Sequence, residues 1–381
     1  MANNIPTMET YIELSPSVFE KNLARAEELT ARLVALYVEH GAGDIRLIAS
    51  GSSNNACVAV RPFAERALRT RVEVYTPSRY LDEFETLECI APHAFEIFVS
   101  QSGCSTNILE ALRTARDHEH TTIALTGNVE ASMSEYADAL IEWGVGNETV
   151  DFVTLGVITL MEFLALFSLH AADALNLEGR GVREALASQL AQVPHVHTSI
   201  QAQVNDLMTR ENRTFLAPGP AMFCGAGTAY GIALEGALKW QETLKNLAAP
   251  FEPEEYIHGP NMQLTPRSIV VLLDPASQPG RTYDTYLGTR EITDHAYLIA
   301  AYAAPDASDG NVIGAAVDVD PVVAPFFLLP AVQLFSARTM RELDCRECHP
   351  LYSRFEAHAN SKTDDYDAVQ EQKLKAAGFA G

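Results

Sequence analysis

Short apolar runs that end in polar, glycine-bearing turns recur along the first half of the chain. Ile45 to Ala49 (IRLIA) opens directly into SGSSNNA, and a run this short, closed by a turn, reads as a buried strand. A helix is expected through Arg61 to Leu68, then a strand over Val72 to Tyr75 and an acidic helix around Asp82 to Glu88. Glu96 to Val99 predicts a third strand, again followed by a Ser/Gly turn and a helix, SQSGCSTNILEALRTAR. Thr121 to Leu125 predicts a fourth strand and Ala139 to Ile141 a short fifth. Strands alternating with helices imply an α/β fold whose parallel sheet is covered by helices on both faces. The longest apolar stretch, Val153 to Leu169, is interrupted by Glu162 and closely followed by His170 and Asp173. It reads as a buried core helix and not as a membrane span.

The same order then begins again. Pro220 to Cys224 resembles a strand, Gly225 to Thr228 a turn and Ala229 to Ala248 a helix, with further strands at Ile269 to Leu273, Ala296 to Ala301 and Ala315 to Val319. The expected organisation is an N-terminal helical segment (1–40), a first α/β domain (41–172), a helical connection (173–212), a second α/β domain (213–350) and a polar C-terminal tail (351–381). The last dozen residues of that tail are expected to be weakly ordered.

Composition narrows the partners. With 50 acidic against 27 basic side chains the formal charge is −23, which repels nucleic acid over most of the surface, and no Lys/Arg cluster offsets it. An anionic ligand must therefore be held by a local site. The N-terminus lacks a basic segment followed by an apolar run, so a cytoplasmic location is expected. The six cysteines are scattered and read as reduced thiols. Cys345, Cys348 and His349 spell C-x-x-C-H, but without an export signal or a second Cys/His pair neither haem nor zinc is expected.

Two turns at strand ends carry most of the candidate chemistry. Ser50-Gly51-Ser52-Ser53 and Ser100-Gln101-Ser102-Gly103-Cys104-Ser105-Thr106 are dense in hydroxyls. In a parallel sheet both fall at the carboxyl edge, where ligands bind. Backbone N–H groups and hydroxyls there can hold a phosphate without any lysine; plain N-capping is the alternative. In the second half Glu235, Lys239 and Glu242 share one helical face, bordered by Ile232, Ala233, Leu234, Ala237, Leu238 and Trp240. Charges on a helix so apolar need partners or a ligand.

These segments also carry a family resemblance. SQSGCSTNILEALR resembles the phosphate-loop motif of sugar-isomerase (SIS) domains, and ASGSSNNA resembles that family's first loop. ALEGALKWQE (233–242) and EEYIHGP (254–260) are similar to the isomerase half of glucosamine-6-phosphate synthase and to fructosamine-6-phosphate deglycases. The resemblance, over roughly residues 40–365, implies two SIS domains, each a flavodoxin-like three-layer sandwich. It implies a phosphosugar deglycase or aldose-ketose isomerase acting on a 6-phosphorylated fructosamine-type sugar-amine adduct. A glucosamine-6-phosphate isomerase/deaminase using free ammonia is the alternative, and a non-catalytic phosphosugar sensor the reading from another class. By resemblance Glu242 is the proton-transfer carboxylate, Lys239 and Glu235 contact sugar, and His258 opens the ring across the interface of a homodimer with shared sites. Ser53, Ser100, Gln101, Ser102 and Ser105 match phosphate-binding positions, Glu148 a sugar-binding acid, and Lys362, in SKTDDY, the C-terminal lysine of the synthase. The synthase's Ser-Thr-Lys stretch is here Val153-Thr154-Leu155, and Ala2 stands where a glutaminase nucleophile is expected. The chain is therefore expected to lack its own ammonia source. No cofactor and no metal is implied.

Overall fold

The structure is a computed structural model that describes residues 6–150, 152–345 and 348–376. The chain divides into two compact units. The first is built on Lys21–Arg183 and the segment after Cys348, the second on Met8–Glu20 and the chain from Glu184 to the end of the second sheet's helices.

The first unit holds β1 (Ile45–Ala49), β2 (Val72–Tyr75), β3 (Phe95–Ser100), β4 (Ile123–Thr126) and β5 (Ala139–Glu142). All pair in parallel, in the order β2-β1-β3-β4-β5. Every residue of β1, β3 and β4 is buried, as the near-continuous apolar runs require of strands covered on both faces. The helices here are α1 (Met8–Ala24), which ends in this unit, α2 (Ala26–Glu39), α3 (Gly51–Leu68), α4 (Pro77–Ile90), α5 (Thr106–Asp117) and α6 (Leu155–Ala174). Among the described residues α6 is the one helix long and apolar enough to cross a membrane, yet 94% of that stretch is buried inside the protein, packed on α2 and α3. Its Glu162 accepts a hydrogen bond from Asn22 Nδ2 at 3.1 Å, and burial pushes the carboxyl well above its usual range.

The second unit begins with most of α7 (Arg180–Leu190), then α8 (Val193–Arg210) and α9 (Asn212–Leu216). It continues with β6 (Ala221–Gly225), α10 (Tyr230–Leu244), β7 (Ala248–Phe251), α11 (Pro253–Ile257), β8 (Ile269–Asp274), α12 (Arg281–Arg290), β9 (Ala296–Ala300), β10 (Val312–Gly314) and α13 (Ala324–Leu343). The sheet order is β7-β6-β8-β9-β10, again all parallel. Renumbered within each unit, both sheets read 2-1-3-4-5, the flavodoxin-like order. The chain then closes with α14 (Tyr352–Glu356) and α15 (Tyr366–Ala376).

The α/β fold with two such sheets is as expected, but three elements differ. The strand β7 (Ala-Ala-Pro-Phe) was expected as the end of a helix; it has no β-branched residue and carries a proline, which an edge strand tolerates. The last strand falls at Val312–Gly314, ahead of the expected Ala315 to Val319. The C-terminal segment is helical to Ala376, because Val369 and Tyr366 find an apolar seat on Cys104 and Ala131; the five residues beyond lie outside the described part.

A charged network is buried across the first sheet. Arg46 on β1 donates to Glu96 on β3 at 2.9 Å and to the Leu87 and Ala91 carbonyls. Tyr80 and His120 Nδ1 donate to the other Glu96 oxygen at 2.9 Å each, and His120 Nε2 reaches Glu88 at 3.0 Å. A carboxylate on each ring nitrogen favours the imidazolium form of His120, in which both nitrogens donate. Burial works to raise Glu96, but hydrogen bonds from His120, Arg46 and Tyr80 bring it below its usual range. The hydrogen bond to Glu96 holds His120 above its own. The stability that His120 contributes is therefore full below about pH 6.5, the free imidazole value, and is lost as pH rises through the elevated folded value. Denaturant unfolding of wild type and His120→Gln should differ most below pH 6 and converge in mildly alkaline buffer.

Candidate active site

In a sheet ordered 2-1-3-4-5 the connections leave β1 and β3 in opposite directions, and the crevice between them is where ligands bind. Both hydroxyl turns of the first unit stand there. They are tied together by Asn107 Nδ2, which donates to Ser50 Oγ at 2.8 Å. Neither Ser50 nor Ser105 uses its hydroxyl to cap the helix it precedes, so the plain capping role is not realised. Ser100 Oγ instead donates to Ser105 Oγ at 3.0 Å, and Ser102 Oγ accepts from the Cys104 N–H at 3.2 Å. Gly103 makes the turn possible: its φ is +69°, and a Cβ there would stand 2.6 Å from Ala131 Cβ. Ser53 is buried in the first turn of α3; among the described residues no hydrogen bond links it to the second turn. Asn107 had no signal in the sequence, since nothing in an isolated Asn says which turn it bridges.

The Gln101 side chain is held by Glu148. Its Nε2 donates to Glu148 Oε2 at 2.6 Å, and the same carboxyl accepts the N–H groups of Thr154, Leu155 and Gly156 at 2.7–2.9 Å. Glu148 thus caps α6 and orients Gln101, with both oxygens engaged. Burial raises its carboxyl despite these four donors. Gly156 is required by the same packing, because a Cβ there would lie 1.6 Å from Gln101 Oε1.

The C-terminal segment is part of this site. Lys362 bridges Ser105 in antiparallel fashion, the Thr106 N–H donates to Ser361 O at 3.2 Å, and the Thr363 N–H donates to Cys104 O at 2.9 Å. Lys362 Nζ donates to Ser102 Oγ at 3.2 Å and lies over the Tyr366 ring at 5.1 Å. Burial holds its ammonium below the usual range.

The second unit offers different chemistry. At its switch point Asp274 ends β8 and accepts from Tyr302 OH at 3.0 Å and from the Ala276 N–H at 3.1 Å, a carboxyl where the first unit has hydroxyls. On α10, Glu235 and Lys239 are completely buried, while the Glu242 side chain keeps 29% of its surface exposed. Lys239 Nζ stands 3.3 Å from Glu235 and bonds Glu242. Burial works to lower Lys239, but the two carboxylates outweigh it and the ammonium sits above its usual range. For Glu242 the balance is reversed: burial raises the carboxyl and the pull of Lys239 does not fully offset it. His258 follows α11 and is exposed. Among the described residues no group of His, Cys, Asp and Glu is arranged to hold a metal ion.

Residues 40–169 match the family model of the SIS domain. The match covers about a third of the chain, the part that holds the first sheet and its hydroxyl turns. The chain is similar to glutamine-fructose-6-phosphate aminotransferase (isomerizing) of Zymomonas mobilis, 28% identical over 234 residues, which is 61% of this chain and 38% of that protein. To the aminotransferase of the same description from Treponema pallidum it is 26% identical over 311 residues, 77% of this chain and 48% of that one. It thus spans about half or less of the length of these curated relatives. Among solved structures, a proposed phosphosugar isomerase of Clostridium difficile 630 superposes with a TM-score of 0.81 at 20% identity, covering 94% of this chain and 99% of that one. The C-terminal domain of glucosamine-fructose-6-phosphate aminotransferase from Francisella tularensis gives a TM-score of 0.74 at 18% identity, covering 90% and 98%. Glucosamine-6-phosphate deaminase of Thermotoga maritima gives 0.62 at 17%, covering 86% and 94%. These likenesses establish that the fold is shared.

Glu148→Ala strands three buried N–H groups and the Gln101 amide. At about 1–3 kcal/mol for each unsatisfied buried group, the loss of unfolding free energy should exceed about 2 kcal/mol by denaturant titration, with Glu148→Gln intermediate.

Proposed function

We propose that the chain is a phosphosugar deglycase or aldose-ketose isomerase acting on a 6-phosphorylated fructosamine-type adduct and releasing hexose 6-phosphate and the free amine. The observation that carries the reading is Glu242. It is a partly exposed carboxyl held beside a buried ammonium, with its pKa raised by burial. A carboxyl raised in this way is suited to take and return one proton near neutral pH. The SIS-domain match and the hydroxyl turns of the first unit support a phosphorylated ligand.

In the proposed reaction the phosphate is held by Ser53, Ser100, Ser102 and Ser105, with Gln101 beside them, and His258 exchanges a proton with the ring oxygen to open the ketosamine. Glu242 then removes a proton from C1, giving the C1=C2 enaminol as the C2 oxygen gains a proton. The same carboxyl returns a proton to C2 as the nitrogen lone pair closes the C1=N bond and the N–H proton is released, so C1 becomes an imine and C2 keeps its hydroxyl. Water adds to that imine and the amine departs, leaving the aldose 6-phosphate. Lys239, anchored by Glu235, offsets negative charge developing beside Glu242. Lys362 faces the phosphate turn. Glucosamine 6-phosphate is the second candidate substrate, with nitrogen on C2 in place of C1. The same reading assigns the protein to the cytoplasm.

A general acid-base group contributes about 10²–10⁴-fold, so Glu242→Gln should lower kcat by roughly that factor with KM little changed. The assay follows hexose phosphate and amine release from a panel of 6-phosphofructosyl amino acids and from glucosamine 6-phosphate. In deuterium oxide the wild-type product should carry label at C2. Binding of the panel without turnover of any member would favour a sensor.

His258 is exposed on its own chain, which supports delivery to a neighbouring copy. Glu242→Gln and His258→Ala chains, each inactive alone, should regain part of the activity when mixed and allowed to exchange subunits. Exchange verified by mass spectrometry with no recovered turnover would rule out a shared site.

A further inference from the structure

The segment after the second unit is docked more firmly than its polar composition suggests. Besides the strand-like bridge at Lys362, Ser132 Oγ donates to both oxygens of Asp365 at 2.9 and 2.7 Å, and Asn147 Nδ2 donates to Lys373 O at 2.9 Å. Val369 packs on Cys104 and Ala131 together with Tyr366. Lys373 lies four residues beyond Val369 and so on the same side of α15. Its ammonium is close enough to Glu148, Cys104 and Lys362 for their charges to act on it.

We propose that Lys373 is a second cationic anchor of the site formed by Ser100–Thr106, so that α15 and the Lys362 strand together grip a doubly charged phosphate monoester. The proposal rests on the reading that this turn takes the phosphate. Its observations are the fixed position of α15 and the charge it brings. Among the described residues neither Lys362 nor Lys373 has a carboxylate at salt-bridge distance, and Glu148 already spends its oxygens on four other donors. Burial holds both ammonium groups below their usual range; the charge of Lys373 adds to this at Lys362, while Glu148 partly supports Lys373. Lys362 sits on the hydroxyl turn and Lys373 on the helix docked beside it, and in a chain with a formal charge of −23 two neighbouring cations of this kind suit an anion better than each other. A phosphate dianion would accept from both ammonium groups and from the Ser102 hydroxyl while removing their mutual repulsion.

Lys373→Met keeps the apolar stem and removes the charge. Isothermal titration with inorganic phosphate and with glucose 6-phosphate should show affinity weakened about tenfold or more for both, with Lys373→Arg retaining most of it. Without ligand, the Tm of Lys373→Met should stay level or rise, since a like-charge pair is relieved. Ser100→Ala with Ser102→Ala serves as the test of the underlying reading. If that double variant loses phosphate binding while Lys373→Met binds within twofold of wild type, the Lys373 anchor is overturned and the turn keeps its role. If the double variant binds phosphate unchanged, both ideas fall. A lowered Tm for Lys373→Met that is matched by Lys373→Arg assigns the lysine to packing and also overturns the proposal.

Discussion

All strands of each sheet run the same way, and that single constraint decides where chemistry can be placed. A parallel strand cannot return through a hairpin, so every connection must cross back over the sheet and every strand hands the chain to a turn at the same edge. In the first unit the two turns beside the switch point come from β1 and β3, both buried along their whole length. The rigid, dry interior therefore ends abruptly in a row of hydroxyls and backbone donors. The Asn107 to Ser50 hydrogen bond holds the two turns in one arrangement, and Glu148 fixes the side chain that lies between them and α6.

The duplicated topology shows how one architecture is put to two uses. Both sheets have the 2-1-3-4-5 order, but the second presents Asp274 at its switch point and an ion-paired helix, α10, next to β6. An ammonium as deeply buried as that of Lys239 is tolerated only with carboxylates close by, and Glu235 supplies one from complete burial. The other, Glu242, keeps contact with solvent. That asymmetry along one helical face separates the carboxylate that anchors the lysine from the one available for proton transfer.

Much of this was legible in the sequence, and the exceptions have physical causes. The alternation of short apolar runs with hydroxyl turns marks the sheet and its carboxyl edge, and the Glu235, Lys239, Glu242 spacing marks a charged stripe on an apolar helix. The edge strand β7 was not legible, because Ala-Ala-Pro-Phe has neither alternation nor branched side chains and is defined by its pairing with β6. The capping role of Glu148 depends on the fold of a turn six residues away. The order of the C-terminal segment depends on a partner surface, Cys104 with Ala131, that lies more than 200 positions earlier. Interactions within a few residues of one another leave a pattern; those that join distant segments do not.

The cover that α15 lays over Cys104 has a kinetic meaning. Cys57 and Cys224 are shielded by the helix and sheet cores of their units, and burial pushes both thiols above their usual range. Cys104 is equally buried, but part of its shield is Val369 and Tyr366 of a single C-terminal helix. Local opening of a terminal helix costs far less than global unfolding. Of these three sulfhydryls, Cys104 is the one whose alkylation rate reports detachment of α15, so the protein carries a built-in chemical clock for the motion of its own C-terminus.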